Sequence, residues 1–110
     1  MKRFFFRSQQ KLKKEKEFAV LFKKGKRIEA GTFKTYYMEN GLPYSRLGVS
    51  ISKRVGNAVF RNRIKRVVRE WFRLSCSQFR KPMDMVFTFN KAIPEYTNKG
   101  LIKSLDEIAL

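Results

Sequence analysis

The chain has 110 residues, which suits one domain with a sizeable core, and 43% of them are hydrophobic, so a disordered basic tail is excluded. Its 26 Lys and Arg against 9 Asp and Glu give a formal net charge of +17, and phosphate groups are the natural partners of such a surface. The chain has no histidine, which excludes His-based triads and His-containing zinc sites, and its acids are scattered singly, without the obvious multi-carboxylate cluster that two-metal nucleases need.

The N-terminal part of the chain is predicted to hold an arm followed by a helix. Residues 1–11 are basic and rich in phenylalanine, and we expect them to form an irregular arm. Apolar spacing over residues 13–24 predicts a helix that ends at Gly25. One side of this helix carries Phe18, Leu21 and Phe22.

Strands are predicted next, from alternation of side chains over residues 32–38 and 46–52. Asn40-Gly41 indicates a hairpin between them, lengthened by Pro43, and residues 25–30 allow another edge strand. In the second strand, Leu47, Val49 and Ile51 are expected to face the core. The opposite face carries small or basic residues that would let nucleic acid approach closely, namely Arg46, Gly48, Ser50 and Ser52.

Residues 53–73 carry eight Lys or Arg against one acid, on a helical apolar spacing that begins at the Gly56–Asn57 turn. One side of this helix is apolar and is expected to pack on the core, with Phe60, Ile64, Val67, Val68 and Trp71. The remaining surface carries cations with Asn62 among them, and Arg61 and Arg63 border the apolar side from opposite directions. A solvated charged face is the ordinary interpretation of such a helix, but the near absence of acids favours contact with a polyanion.

The C-terminal part is predicted to add a strand and a helix. A polar connection over residues 75–81 leads to a strand at 83–89, and an amphipathic helix with Leu101, Leu105 and Ile108 follows Pro94. The order is therefore helix, two or three strands, helix, strand, helix. It indicates an α+β fold, a single-domain two-layer sandwich over residues 1–110.

The expected location is the cytoplasm. No apolar run reaches the about 18 residues of a membrane-spanning helix, and the Phe4–Phe6 run is too short for a signal peptide. Cys76 is the only cysteine, which fits a reducing compartment, and its expected role is that of a small packed side chain.

Two segments resemble the bacterial ribonuclease P protein component. Residues 47–73, LGVSISKRVGNAVFRNRIKRVVREWFR, match that family's Arg-Asn-Arg helix with its preceding basic pair and Gly-Asn-Ala turn. Residues 12–27, LKKEKEFAVLFKKGKR, are similar to its first helix, with paired Phe residues followed by Phe-Lys-x-Gly. The resemblance covers nearly the whole chain in order and length.

The resemblance implies an α-β-β-β-α-β-α order, a four-stranded sheet and a left-handed βαβ crossover, which the residues alone do not indicate because right-handed crossovers dominate. It also implies the basic subunit of a ribonucleoprotein endonuclease that removes the 5′ leader from precursor tRNA. The expected partners are the catalytic RNA and precursor tRNA, without a membrane or a small-molecule substrate. We expect no catalytic residue, metal site or cofactor on the protein, and Mg²⁺ for the holoenzyme.

Two surfaces follow from the resemblance. The catalytic RNA is expected to contact Arg61, Asn62, Arg63, Lys65, Arg66 and Arg69. The single-stranded leader is expected in a cleft between the first helix and the sheet, lined by Phe18, Phe22 and Tyr36, with Lys53 and Arg54 near its rim. Exposed aromatic rings stack on bases with little sequence preference. The spacing of Phe18 and Phe22 by itself is also typical of core packing.

Three other interpretations fit the composition. A ribosomal or other structural RNA-binding protein is opposed only by the order of the motifs. A DNA-binding module would place the basic helix in a major groove, but Asn62 is its only base-reading amide. A membrane-surface protein fits least, because the basic helix lies within a chain that has strand patterns and a full core.

Overall fold

The computed structural model describes residues 11–12 and 15–108. The predicted arm therefore lies outside the described residues except for Lys11, which forms a single parallel bridge with Leu47. The helices and strands are α1 (Glu15–Lys24), β1 (Lys26–Glu29), β2 (Lys34–Glu39), β3 (Arg46–Ile51), α2 (Ala58–Ser75), β4 (Met83–Phe89) and α3 (Asn98–Asp106), with short 3₁₀ turns at Lys53–Val55 and Cys76–Gln78. This order is the predicted one.

The four strands form one mixed sheet in the order β1-β2-β4-β3. β4 lies between β2, to which it is antiparallel, and β3, to which it is parallel. Val86 shows the register, because it lies opposite Tyr36 on one side and Gly48 on the other. The parallel neighbours β3 and β4 are joined through α2, which makes this part a βαβ unit.

The predicted hairpin at Asn40-Gly41 is wrong, because β2 and β3 are separated by β4. β4 is the most apolar strand, and a central position buries both of its faces. Gly41 has a positive φ of +67, and the connection that contains it leads the chain past the start of β4, where Asn40 N donates to Pro82 O at 3.3 Å. The hairpin that forms joins β1 to β2 and is closed by a bond from Ala30 N to Phe33 O at 2.9 Å. The edge strand suggested within residues 25–30 is thereby confirmed.

The principal core lies between the sheet and the helices α2 and α3. α2 begins where predicted, since the Asn57 side chain caps it by accepting a hydrogen bond from Phe60 N at 2.9 Å. The apolar sides of α2, β4 and α3 supply the buried residues Ile64, Val68, Trp71, Phe72, Met83, Met85, Phe87, Phe89, Leu101 and Leu105. Phe60 and Val67, also predicted on the apolar side of α2, are partly buried and pack against this core. The patterning of these three elements predicted this core correctly.

The short helix α1 packs on the other face of the sheet. Its buried residue, Leu21, contacts Val86 of β4, and Leu12 joins them from the segment before the helix. The predicted two layers are therefore the sheet with α2 and α3, and α1 partly covers the face that these helices leave open. None of the helices in the described part of the chain is long and apolar enough to span a membrane.

Candidate nucleic-acid interface

Three aromatic rings meet where α1 packs on the sheet. Phe18 and Phe22 are one helical turn apart, with ring centroids 6.4 Å from each other and planes inclined by 22°. Tyr36 reaches them from β2 and stands nearly perpendicular to Phe22, at a centroid distance of 4.8 Å and an angle of 86°. The structure thus brings together all three predicted aromatic residues. Phe22 is 45% exposed, whereas Phe18 is partly buried.

Gly48 supports the Phe18 ring from the sheet. A Cβ atom at this position would lie 2.5 Å from Phe18 Cε1, which is closer than real side chains approach. Glycine is needed here because the ring rests almost directly on the strand backbone. Phe18 is therefore held by β3 as well as by its own helix.

The expectation of an open strand face is largely wrong. Of the four residues Arg46, Gly48, Ser50 and Ser52, only Ser50 is exposed. Phe18 covers Gly48, and Arg46 is engaged in ion pairs with Glu17 and Asp84. The strand pattern correctly predicted which side chains leave the main core, but it could not indicate that α1 would cover them.

A shallow groove runs along α1 beside this cluster. It is open to solvent and mainly apolar, and its lining residues are Glu15, Phe18, Ala19, Phe22, Val49 and Ser50. Aromatic rings at the side of such a groove can stack on unpaired bases. Lys53 and Arg54, expected at the rim, are exposed in the 3₁₀ turn just after β3 but do not line the groove.

A second groove, at the outer edge of β3, connects the aromatic cluster to α2. Lys65 and Arg69 of α2 line it together with Phe18, and the other lining residues are Lys11, Leu12, Leu47, Gly48 and Val49. Because β3 is an edge strand, side chains from α2 can reach around it toward the face that carries α1. Two of the cations assigned to the catalytic RNA thus lie beside the cleft assigned to the leader.

The other α2 residues expected to contact the catalytic RNA point in different directions. Asn62 and Arg66 are exposed on the outer side, and Arg61 donates a bond from Nε to the carbonyl oxygen of Gly56 at 3.1 Å. Arg63 lies on the side of α2 nearer Tyr96. Burial raises the pKa of the Tyr96 phenol, and the positive charge of Arg63 is close enough to oppose that rise. Among the described residues, none of the five α2 cations expected to contact the catalytic RNA forms an ion pair, so their charge is available to a partner.

Comparison with known proteins shows the family to which this chain belongs. A family model described as ribonuclease P matches residues 6–110. The chain belongs to the ribonuclease P protein family. The ribonuclease P protein component of Caldanaerobacter subterraneus subsp. tengcongensis is 40% identical over 98 residues, which cover 89% of this chain and 84% of the relative.

Solved structures of the ribonuclease P protein family share the fold. The Staphylococcus aureus RNase P protein matches with a TM-score of 0.82 and 32% identity, over 90% of this chain and 91% of that one. The Thermotoga maritima protein matches with a TM-score of 0.75 and 30% identity, over 86% and 90%. The resemblance noted in residues 12–27 and 47–73 is thereby confirmed.

Membership in the ribonuclease P protein family makes this chain the protein subunit of a ribonucleoprotein endoribonuclease. It selects this function over the ribosomal, DNA-binding and membrane-surface interpretations, which composition alone permits. The site described above offers cations and aromatic rings. Within residues 11–12 and 15–108, no three Asp, Glu or Cys side chains are grouped as ligands for a metal ion.

Proposed function

We propose that this subunit of ribonuclease P binds the 5′ leader of precursor tRNA along α1 and binds the catalytic RNA through the exposed side of α2. The observation that carries the proposal is the cluster of Phe18, Phe22 and Tyr36, which meets a solvent-open groove next to unpaired cations of α2. Cleavage of the leader from tRNA is the reaction in which these two surfaces act together.

The aromatic cluster suits a single-stranded leader. Phe22 leaves nearly half of its surface in water, and a base stacked on such a ring is worth roughly 1–3 kcal/mol. Stacking tolerates any base, so one cleft can accept the different leaders of many precursor tRNAs. Lys65 and Arg69 would neutralise leader phosphates at the edge of β3, and Lys53 and Arg54 would extend the basic path beyond the end of that strand.

The outer side of α2 suits a folded RNA. Asn62 and Arg66 provide exposed donors on this side of a helix that is anchored in the core by its other side, and Arg61 and Arg63 add cations at its two borders. Cations on a rigid helix contact phosphates without the entropy cost of ordering a flexible tail. Lys65 and Arg69 lie between this side and the leader groove, where they can serve both RNAs.

The catalytic chemistry is assigned to the RNA subunit. The protein has no histidine to act as a general base, and the described residues offer no grouped ligands for Mg²⁺. We therefore place the Mg²⁺ of the holoenzyme on RNA phosphates. The proposed site of action is the cytoplasm, where a lone thiol stays reduced.

Reconstitution tests the proposed function. A tRNA with a 5′ extension is incubated at low Mg²⁺ with the RNA subunit of a relative, with and without this protein. We expect the protein to increase cleavage at the leader boundary and to make the holoenzyme prefer precursor over mature tRNA. Cleavage by a preparation shown to be free of RNA, or identical kinetics with and without the protein, contradicts the proposal.

The α2 surface is tested by Arg66→Ala, with Arg80→Ala as the control. Both variants remove one exposed Arg, but Arg80 lies in the connection after α2. For Arg66→Ala we expect weaker assembly with the RNA subunit. The slope of the logarithm of the binding constant against the logarithm of the salt concentration should become shallower by about 0.7–0.9, the value for one phosphate contact. Equal losses in the two variants would mean that only net charge matters.

A further inference from the structure

A half-buried ion-pair network joins α1 to the sheet. Arg46 donates from Nε to Asp84 Oδ1 at 2.8 Å and from Nη2 to Asp84 Oδ2 at 2.6 Å, so the guanidinium is held by two parallel bonds to β4. Its remaining nitrogen, Nη1, donates to Glu17 Oε2 of α1 at 2.5 Å. One guanidinium thus links a carboxylate of the sheet to a carboxylate of the helix.

The sheet side of this network is further braced. The Asn40 side chain donates from Nδ2 to Asp84 Oδ1 at 2.9 Å and to the carbonyl oxygen of Tyr44 at 3.1 Å. The pKa of the Arg46 guanidinium is raised, chiefly by the hydrogen bond to Asp84; burial opposes the rise, and the charges of Asp84 and Glu17 add to it. Arg46 is therefore a fixed, permanently charged point on the sheet, and Glu17 is the helix residue that docks on it.

The network and the aromatic cluster are adjacent on both elements. Arg46 and Gly48 are two positions apart on β3 and share a face, and Glu17 and Phe18 are neighbours on α1. Glu17 contacts Arg46 while Phe18 contacts Gly48, so α1 is attached to β3 at two successive points. The position of the Phe18 ring along β3 consequently depends on where Glu17 is held.

α1 needs such an attachment. It has ten residues, too few to be a stable helix in isolation, and Leu21 is its one buried residue. The side chains of Arg46, Glu17 and Asp84 are only 21%, 25% and 14% exposed, so water screens this network less than an ordinary surface pair. By contrast, Lys81 and Glu39 form a 3.8 Å pair with exposures of 67% and 61%.

We propose that Glu17 is a positioning residue for the leader cleft, because by pairing with Arg46 it fixes the position of α1 on the sheet. This position places the Phe18 ring on β3 and the Phe22 ring against Tyr36 of β2. The proposal rests on the leader-binding function proposed above. Glu17 acts through the protein and not by contact with RNA. Its carboxylate has the wrong charge to attract a leader phosphate, so direct electrostatics and positioning predict opposite effects of removing it.

The test compares Glu17→Ala with Glu39→Ala in the reconstituted holoenzyme. Both substitutions remove one carboxylate from an ion pair and raise the net charge by one, which by itself favours RNA binding. We expect Glu17→Ala to bind precursor tRNA about fivefold more weakly, the lower end of what a lost base stack costs, with mature tRNA unaffected. Glu39→Ala should bind both forms as tightly as the wild type or slightly more tightly.

Arg46→Lys provides a second variant in which net charge does not change. Lysine lacks the planar fork that spans Asp84 and Glu17, so we expect a similar selective loss for precursor tRNA. A double variant, Glu17→Ala with Phe18→Leu, should lose less than the sum of the two single losses, because both act on one ring. Fluorescence of Trp71, the only tryptophan, verifies that each variant is folded at the assay temperature.

The outcomes separate the inference from the function on which it rests. The inference is overturned if Glu17→Ala binds precursor tRNA as tightly as Glu39→Ala, if Arg46→Lys keeps full affinity, or if mature tRNA loses affinity equally. Failure of the wild-type holoenzyme to distinguish precursor from mature tRNA would instead overturn the proposed leader-binding function.

Discussion

Phe22→Leu separates leader binding from folding more cleanly than any other change in the aromatic cluster. Phe22 is 45% exposed, and its ring contacts Tyr36 edge to face at a centroid distance of 4.8 Å. Leucine retains most of the apolar bulk on α1 but removes the aromatic surface. Phe18→Leu is less suitable because the Phe18 ring also packs on the backbone of Gly48.

The two expected effects differ in size. The edge-to-face contact with Tyr36 is worth about 0.5–1.5 kcal/mol, and little further burial is lost at a half-exposed site, so we expect the free energy of unfolding to fall by about 1 kcal/mol. Loss of one stacked base costs roughly 1–3 kcal/mol of binding, which weakens the affinity for precursor tRNA by about 5- to 150-fold.

The assay titrates precursor tRNA with a leader of several nucleotides, and mature tRNA, against holoenzyme built from each variant. Phe79→Leu is the control, since Phe79 is partly buried and contacts the rings of Trp71 and Phe72 in the principal core. We expect Phe22→Leu to weaken precursor binding alone and Phe79→Leu to weaken neither. Equal losses for the two tRNA forms, or the same selectivity in the control, would refute leader stacking on Phe22.

Three further predictions concern packing and charge. A Cβ at Gly48 would lie 2.5 Å from Phe18 Cε1, so Gly48→Ala should displace the Phe18 ring and lower the affinity for precursor tRNA several-fold while the protein stays folded. Unchanged affinity in the same titration would count against the importance of the ring position. The buried Thr35 hydroxyl has no hydrogen-bond partner among the described residues, so Thr35→Val should raise the free energy of unfolding by about 1 kcal/mol. Urea denaturation followed by Trp71 fluorescence measures this change, and a lower free energy of unfolding would contradict the prediction. Because the chain carries +17, sulfate should raise its melting temperature more than chloride does at equal ionic strength; coincident melting curves would argue against anion-linked folding.

Local sequence determined the individual elements of this protein. The α2 helix begins at the Asn57 cap, and α1 ends where Gly25 follows it. β4 spans the predicted residues 83–89, with alternate apolar side chains in the principal core. Caps, glycine stops and apolar periodicity act over a few neighbouring residues, and this is why they can be read without knowledge of the fold. The motifs in residues 12–27 and 47–73 together were sufficient to predict the family.

Only the tertiary structure decided how these elements meet. β4 separates β2 from β3, α1 covers Gly48, and Lys65 and Arg69 reach around the edge of β3 to the aromatic cluster. The link from Glu17 through Arg46 to Asp84 joins residues 29 and 38 positions apart. Such contacts depend on which strand is central and which face a helix covers, and these choices are set by burial over the whole chain and not by any local pattern.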